Sequence, residues 1–146
     1  MNERIAEFLQ QQTCSALCCV GSDGLPWCFS CYYAFDPENG LLYFKSSAQT
    51  KHAQIMLGNP LVAGTILPDK LNKLQSRGIQ YQGIILPPGH PLTQHASSFY
   101  YKKHPVARAI PGDIYTLQLN TVKFTDNSLG FGKKFTWSRE QTVIDE

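Results

Sequence analysis

The chain has 146 residues, of which 42% are hydrophobic and 16% charged, and its net charge is +2. This length suits one domain. The low charge without Lys/Arg runs argues against a general nucleic-acid surface, which gains affinity by neutralising many phosphates. No apolar stretch approaches the roughly 18 residues of a bilayer span, and the N-terminus lacks the apolar core of a signal peptide. We therefore expect a cytoplasmic protein with one domain over residues 1–137 and a polar tail over residues 138–146.

The first third of the chain predicts one helix and a meander of three antiparallel strands. Asn2 is the predicted helix cap, and Ile5, Phe8 and Leu9 recur at the spacing of a single apolar stripe. Three segments rich in apolar and aromatic residues follow, separated by turns that contain Gly, at residues 13–20, 26–35 and 41–45. Because short turns join strands in antiparallel order, these segments form one continuous sheet.

A short helix follows the third strand, and hydroxyl and lysine side chains gather at its start. Ser46 or Ser47 is the predicted cap, with Gln49 completing a capping box, and Gly58 and Pro60 end the helix. One interpretation is that the hydroxyls only cap the helix. The other is that they form a phosphate site with the lysines and the free N–H groups of the first turn, since phosphates often occupy helix N-termini.

The remainder of the chain predicts four further strands and one helical segment. The strands are expected at residues 60–67, 77–86, 114–125 and 130–137. The helical segment is expected between His90 and His104, and Pro105 ends it. Six or seven strands with three short helices favour a mainly β (α+β) fold, a closed or partly closed antiparallel barrel, over a doubly wound sheet.

All five cysteines lie in the first third of the chain, and two have the C-x-x-C spacing of half a zinc site or a redox pair. Cys28 and Cys31 lie on a predicted strand, where residues three apart point to opposite faces, and the adjacent Cys18 and Cys19 diverge likewise. We therefore expect no metal site and ordinary reduced, buried thiols. A metal site or disulfide is the alternative, which a strand bulge at Ser30 would allow.

Longer motifs make the sequence resemble a known family. The stretch Y-F-K-S-S-A-Q-T-K-H-A-Q is similar to the strand, loop and helix that grip the FMN phosphate in the FMN-binding split-barrel family, which includes pyridoxamine 5′-phosphate oxidase. The motifs T-K-H-A-Q, R-G-I-Q-Y-Q-G, H-P-V-A-R and K-F-T-D-N-S-L-G-F-G-K-K are similar to the small YhbP-like branch of that superfamily, roughly from Ile5 to Trp137. The resemblance implies a six- to seven-stranded antiparallel split β-barrel with short flanking helices.

The same resemblance implies FMN-binding residues in three places: where the third strand leads into the short helix, on the second strand, and at the end of the last long strand. They are Lys45, Ser46, Ser47, Thr50, Lys51, Ser30, Cys31, Thr125 and Asn127. Lys51 matches the family's phosphate-binding lysine, and Thr50 stands where the oxidases often carry an arginine. Gly78 stands where they place a glutamine that contacts the flavin ring, and the second strand lacks their arginine. These departures weaken the grip on FMN.

The C-terminal motif gives the predicted substrate site. Phe131 and Lys133 fall where the oxidases bind pyridoxal phosphate, but the arginine and histidine pattern of those enzymes is absent. Vitamin B6 oxidation is therefore not expected. The alternative for Lys133 and Lys134 is a solvated pair of charges.

Two functional hypotheses follow from the resemblance, both with a homodimer and a cofactor site at its interface. The first is an FMN-dependent oxidoreductase of an unknown small substrate, in which the cofactor supplies the redox chemistry and no catalytic side chain is identified. The second is a non-catalytic flavin- or haem-binding module for sensing or storage. A nucleic-acid-binding barrel is a third reading, which the low charge disfavours, and no membrane partner is expected.

Overall fold

The computed structural model describes residues 1–130 and 132–140. These residues form seven strands: β1 Cys14–Val20, β2 Pro26–Asp36, β3 Leu41–Ser46, β4 Leu61–Ile66, β5 Arg77–Ile85, β6 Asp113–Asp126 and β7 Lys134–Ser138. They also form three α-helices: α1 Glu3–Gln11, α2 Lys51–Gly58 and α3 Ala96–Lys103. The predicted mainly β fold with short flanking helices is confirmed.

The sheet runs in the order β3-β2-β1-β4-β5-β6-β7, and a further pairing of β3 with β6 closes the first six strands into a barrel. All pairings are antiparallel, including those of the predicted β1-β2-β3 meander. The long strand β6 makes closure possible, because its first part pairs with β3 and a later part pairs with β7, while β5 occupies its other edge. The predicted antiparallel split barrel of six to seven strands is therefore confirmed.

The barrel interior holds the core, built from the inward-facing residues of strands β1 to β6 together with side chains from α1 and α2. Ile5, Phe8 and Leu9 of α1 are fully buried there, as their spacing predicted. Met56 of α2 also enters this core. The two helices thus insert apolar side chains between strands that a barrel of this size would otherwise leave incompletely filled.

The predicted helical segment at residues 90–104 is interrupted. Helix α3 covers only Ala96–Lys103, and separate 3₁₀ turns lie at Pro91–Thr93 and Pro105–Ala109. Proline at the first position of each turn supplies a suitable φ but no N–H donor, which favours a new short turn over a continued helix. Helix α3 packs with Tyr100 on the outer side of β2 and β3, against Ala34 and Tyr43.

The outer face of β1, β2 and β4 is largely exposed. Its side chains alternate with the buried ones and are small or apolar: Cys14, Ala16, Cys18, Cys28, Ser30, Tyr32, Leu61, Ala63 and Thr65. Tyr32 is 64% exposed and Leu61 60% exposed. None of these side chains is charged, so we call this surface the uncharged face.

The cysteines diverge as predicted, but their burial differs from the prediction. Cys19 is fully buried and Cys18 is half-buried on the other side of β1, while Cys28 is exposed and Cys31 packs against the core. The expectation that all are buried thiols is wrong, because the outward side of β1 and β2 carries no helix over Cys14 and Cys28.

The C-terminal end of the described chain is tied to the barrel. Ser138 is the last residue of β7, and the guanidinium of Arg139 donates to the carbonyl oxygens of Leu119, Asn39 and Gly40. The rest of the predicted polar tail, residues 141–146, lies outside the described residues. None of the helices within the described part of the chain has the length and apolar character needed to cross a bilayer.

Candidate functional site

The turn between β3 and α2, residues 46–51, brings hydroxyl groups to the start of α2. Thr50, and neither Ser46 nor Ser47, is the helix cap: its Oγ1 accepts from the backbone N–H of Ala53 at 3.2 Å. The predicted capping box with Gln49 is therefore wrong. Ser47 instead accepts from the N–H of Gln49 within a tight turn, which delays the helix until Lys51. We call residues 46–51 the mouth.

Ser46 joins the hydroxyl groups of the mouth into one network. Its Oγ lies 3.3 Å from Thr50 Oγ1 and 2.7 Å from His52 Nε2, and it also donates to the carbonyl oxygen of Ser47. The backbone N–H groups of Lys51 and His52 lie in the first turn, where an α-helix provides no partner for them. The mouth therefore combines hydroxyls and unpaired N–H donors at the positive end of a helix.

Two aromatic residues of β2 support this first turn. The ring of His52 stacks on that of Phe29, with centroids 3.6 Å apart and planes inclined by 8°. The ammonium of Lys51 lies 3.9 Å from the centroid of the Trp27 ring. Trp27 and Phe29 are two residues apart on one strand, so they present their rings on the same side to successive residues of the helix.

Charge at the mouth comes from Lys51. Burial lowers the pKa of His52 below its ordinary value, so this imidazole is neutral at pH 7. Within the described residues Lys51 forms no ion pair, and it is exposed. The Lys51 ammonium and the first-turn N–H groups are donors suited to a phosphate. The hydroxyls of Ser46 and Thr50 lie beside them and in this structure donate to the carbonyl oxygen of Ser47.

Lys45 directs its side chain away from the mouth. Its ammonium donates to the hydroxyl of Tyr101 at 2.7 Å and to the carbonyl oxygen of Ala107 at 2.8 Å. Neighbouring residues of a strand point to opposite faces, so Lys45 and Ser46 cannot both face one ligand with their side chains. Only the main chain of Lys45 adjoins the hydroxyl network.

Ser30 and Cys31 separate in the same way. Ser30 is exposed on the uncharged face, whereas Cys31 packs against the core. Burial raises the pKa of the Cys31 thiol to about 12, which leaves it protonated and chemically inert. A ligand could therefore contact both residues only through the main chain of β2.

The C-terminal candidates lie far from the mouth within one chain. Ser46 pairs with Asp113 at the start of β6, whereas Thr125 lies twelve residues further along that strand and pairs with Gly78 and Lys134. A straight strand of that length would span about 40 Å. Asn127 and Lys133 follow Thr125 and are exposed, and Phe131 lies outside the described residues.

No family model matches the chain. A UPF0306 protein of Yersinia pseudotuberculosis serotype O:3 (strain YPIII) is 40% identical over 139 residues, which are 95% of this chain and 94% of that protein. The chain belongs to the UPF0306 protein family. The mouth and the uncharged face are thus features of a UPF0306 protein.

Solved structures share the fold of this UPF0306 chain. A haem-binding protein from Mycobacterium smegmatis superposes with a TM-score of 0.77 at 15% identity, over 99% of this chain and 62% of that protein. An FAD-binding protein from Mesorhizobium loti superposes with a TM-score of 0.64 at 17% identity, over 82% and 87%. The predicted resemblance to the split-barrel superfamily is confirmed at the level of the fold.

Sequence reasoning did not assign Trp27, Phe29 and His52 to the site. The alternation of β2 placed the two rings on one side, but no local pattern indicates that this side lies beneath the first turn of α2. For His52, next to Lys51, the sequence allowed a donor to the phosphate, but a histidine in a first helical turn is more often a surface residue. Its stacking on Phe29 is a contact between residues 23 positions apart, which depends on how α2 packs on β2.

Proposed function

We propose that this UPF0306 protein binds FMN and holds the phosphate at the mouth. The observation that carries the proposal is the convergence of Ser46, Thr50, Lys51 and the unpaired N–H groups on the start of one helix. A flavin phosphate carries a charge of about −1.5 to −2 at pH 7 and accepts several hydrogen bonds. Ser47 and the main chain of Lys45 complete the proposed phosphate contacts.

The remaining proposed contacts follow the β2 main chain at Ser30 and Cys31. FMN, when bound, supplies hydride or one-electron chemistry, while the protein supplies anchoring and orientation. In this proposal His52 positions the mouth through Ser46 Oγ and by stacking on Phe29, and it has no acid or base role. We therefore propose an oxidoreductase of a small substrate.

We further propose that a second copy of the chain completes the site. Thr125, Asn127, Lys133 and Phe131 would approach the flavin from the partner, because β6 holds Thr125 far from the mouth of its own chain. The uncharged face supports association, because the exposed side chains of Tyr32 and Leu61 are apolar surface of the kind that another protein often covers. A two-fold axis would use the same face on both copies.

The phosphate site is tested by comparing two ligands and two matched variants. FMN and riboflavin, which lacks the phosphate, are titrated into the protein, and quenching of flavin fluorescence gives the dissociation constants. Lys51→Met removes the ammonium but keeps a stem of similar length over Trp27. Lys45→Met makes the same change in β3, where the ammonium points away from the mouth.

The proposal expects Lys51→Met to weaken FMN binding by about 1.5 to 3 kcal/mol, the usual worth of a charge-assisted hydrogen bond. Riboflavin binding should not change, and Lys45→Met should bind FMN as the wild type does. If Lys51→Met and Lys45→Met weakened FMN binding equally, or if Lys51→Met weakened FMN and riboflavin binding equally, the mouth would not be the phosphate site. Oxidoreductase activity is then tested by adding NADH or NADPH without oxygen. Reduction of the bound flavin is measured as the loss of its visible absorption.

Haem binding without catalysis is the second candidate. It is supported by the similarity to a haem-binding protein over 99% of the chain and by His95, an exposed histidine before α3 whose side chain makes no cap bond. Haemin titration should then give a histidine-ligated spectrum that His95→Ala abolishes and His90→Ala preserves. Saturable haemin binding that excludes FMN would favour this candidate over the flavoprotein.

A further inference from the structure

Two thiols face each other across the β1–β2 hairpin. Cys18 pairs directly with Cys28 in the antiparallel register. Both side chains lie on the outer side of their strands, where Cys28 is exposed and Cys18 half-buried. Both are free thiols in this structure.

The hydrogen bonds of the hairpin show which kind of pair this is. At one end the N–H of Gly21 donates to the carbonyl of Leu25, and at the other the N–H of Tyr33 donates to that of Thr13. Hydrogen-bonded and non-hydrogen-bonded pairs alternate along an antiparallel ladder. Counting from either end, the pair of Cys18 and Cys28 is non-hydrogen-bonded.

This kind of pair matches the geometry of a disulfide. In a non-hydrogen-bonded pair the Cα atoms are about 4.5 Å apart and the side chains approach closely. Disulfides form with Cα atoms about 4.4 to 6.8 Å apart. The bond can therefore close without moving either strand.

We propose that Cys18 and Cys28 are a redox dithiol that closes reversibly to an intrachain disulfide across the hairpin. With a small disulfide such as oxidised glutathione as oxidant, the Cys28 thiolate attacks one sulfur, forms a mixed disulfide and expels one glutathione thiolate. The Cys18 thiolate then attacks Cys28 Sγ and expels the second. The protein loses two electrons, and its two thiol protons end on the two released glutathione molecules.

Access and selectivity favour this pair over the other cysteines. The first half of β2 pairs only with β1 among the described strands, since β3 joins β2 from Tyr33 onward. Cys28 therefore lies at an edge of the sheet. Cys14 faces Tyr32 across the ladder and has no thiol opposite it, while Cys19 and Cys31 point inward. This pairing does not depend on the proposed function.

The test oxidises the full chain with glutathione disulfide and maps the cysteine peptides by mass spectrometry. Wild type and Cys14→Ser, the matched control, should lose two thiols and give a linked Cys18 and Cys28 peptide pair. Cys18→Ser and Cys28→Ser should accumulate glutathione adducts instead. Dithiothreitol should restore both thiols in wild type.

Association of two copies through the uncharged face would cover Cys18 and Cys28. The reaction is therefore repeated in Thr65→Arg, which is designed to prevent that association. A disulfide in this variant, or in wild type, supports the dithiol. The proposal is overturned if neither protein gives the linked pair while urea-unfolded chain reacts. Stable glutathione adducts on Cys28 of wild type, or a Cys28 bond between two chains, would overturn it equally.

Discussion

The imidazole of His52 lies flat against the phenyl ring of Phe29, with 3.6 Å between their centroids, while its Nε2 is 2.7 Å from Ser46 Oγ. One side chain of α2 thereby contacts β2 by stacking and the end of β3 by hydrogen bonding. His52 therefore helps to fix the position of the mouth relative to the barrel, as does the Lys51 ammonium over the Trp27 ring.

The state of His52 makes stability depend on pH. Burial lowers its folded pKa below the ordinary 6.5, so its neutral form contributes stability above that pH. This contribution declines as pH falls below about 6.5, because the unfolded chain binds the proton more readily. His52→Phe keeps an aromatic ring but does not titrate, so urea unfolding should show a weaker fall in stability between about pH 7 and pH 5. His95→Gln, at an exposed histidine, should retain the wild-type dependence; an unchanged dependence in His52→Phe would contradict the prediction.

Removal of the α2 cap should destabilise the fold. Thr50→Ala leaves the N–H of Ala53 without its acceptor, and loss of a Thr cap costs about 0.5 to 2 kcal/mol. Ser47→Ala removes a hydroxyl only from an exposed turn, so its free energy of unfolding should stay within about 0.5 kcal/mol of wild type. Urea unfolding of both variants measures the difference. A larger loss of unfolding free energy in Ser47→Ala than in Thr50→Ala would mean that Ser47, and not Thr50, caps the helix.

Gly64 of β4 has no room for a side chain. A Cβ there would overlap the ring of Tyr81 and approach the carbonyl oxygen of Ala16. Tyr81 cannot withdraw freely, because its hydroxyl is bonded to Ser15 Oγ inside the barrel. Gly64→Ala should therefore lower stability by about 1 to 3 kcal/mol, as overpacking usually does. Gly58→Ala, where a Cβ meets no atom within 4 Å, is the control and should not lose stability on urea unfolding.

A charge on the uncharged face should prevent association of two copies. Thr65 is exposed and pairs with Ala16 and Gln80 on the neighbouring strands. Thr65→Arg would bury an unpaired guanidinium in an interface formed there, at a cost of several kcal/mol. Light scattering after size exclusion should give a dimer for wild type and a monomer for the variant, whose far-ultraviolet circular dichroism should match that of wild type. Lys70→Glu, in the loop after β4, is the control charge change and should remain dimeric.

The strands could be predicted because their faces differ. In β6, Leu117 and Leu119 and then Val122 and Phe124 are buried two residues apart, with a polar residue between the members of each pair, as in a half-buried strand. The alternation shifts by one residue between the two pairs, opposite the irregularity at Gln82 and Gly83. Closure between β3 and β6 was not encoded in either segment alone, since it joins residues about 70 positions apart. The resemblance to a known family supplied it.

The site was less predictable than the fold for local reasons. The stretch from Ser46 to Thr50 offers three hydroxyls, and packing of Ala53 and Met56 in the core decides which one caps the helix. The opposite directions of Lys45 and Ser46 did have a signal, because strand alternation separates them. The Lys51 contact with Trp27 had none.

The strand β6 also has a consequence for how the chain folds as it is synthesised. It pairs with β3, β5 and β7, so the five earlier strands emerge from the ribosome as an open ribbon with unpaired backbone at both ends. Such edges recruit other chains. Until residue 126 has left the exit tunnel the nascent protein is exposed to aggregation, so a pause or truncation before or within β6 should be far more damaging than one after it.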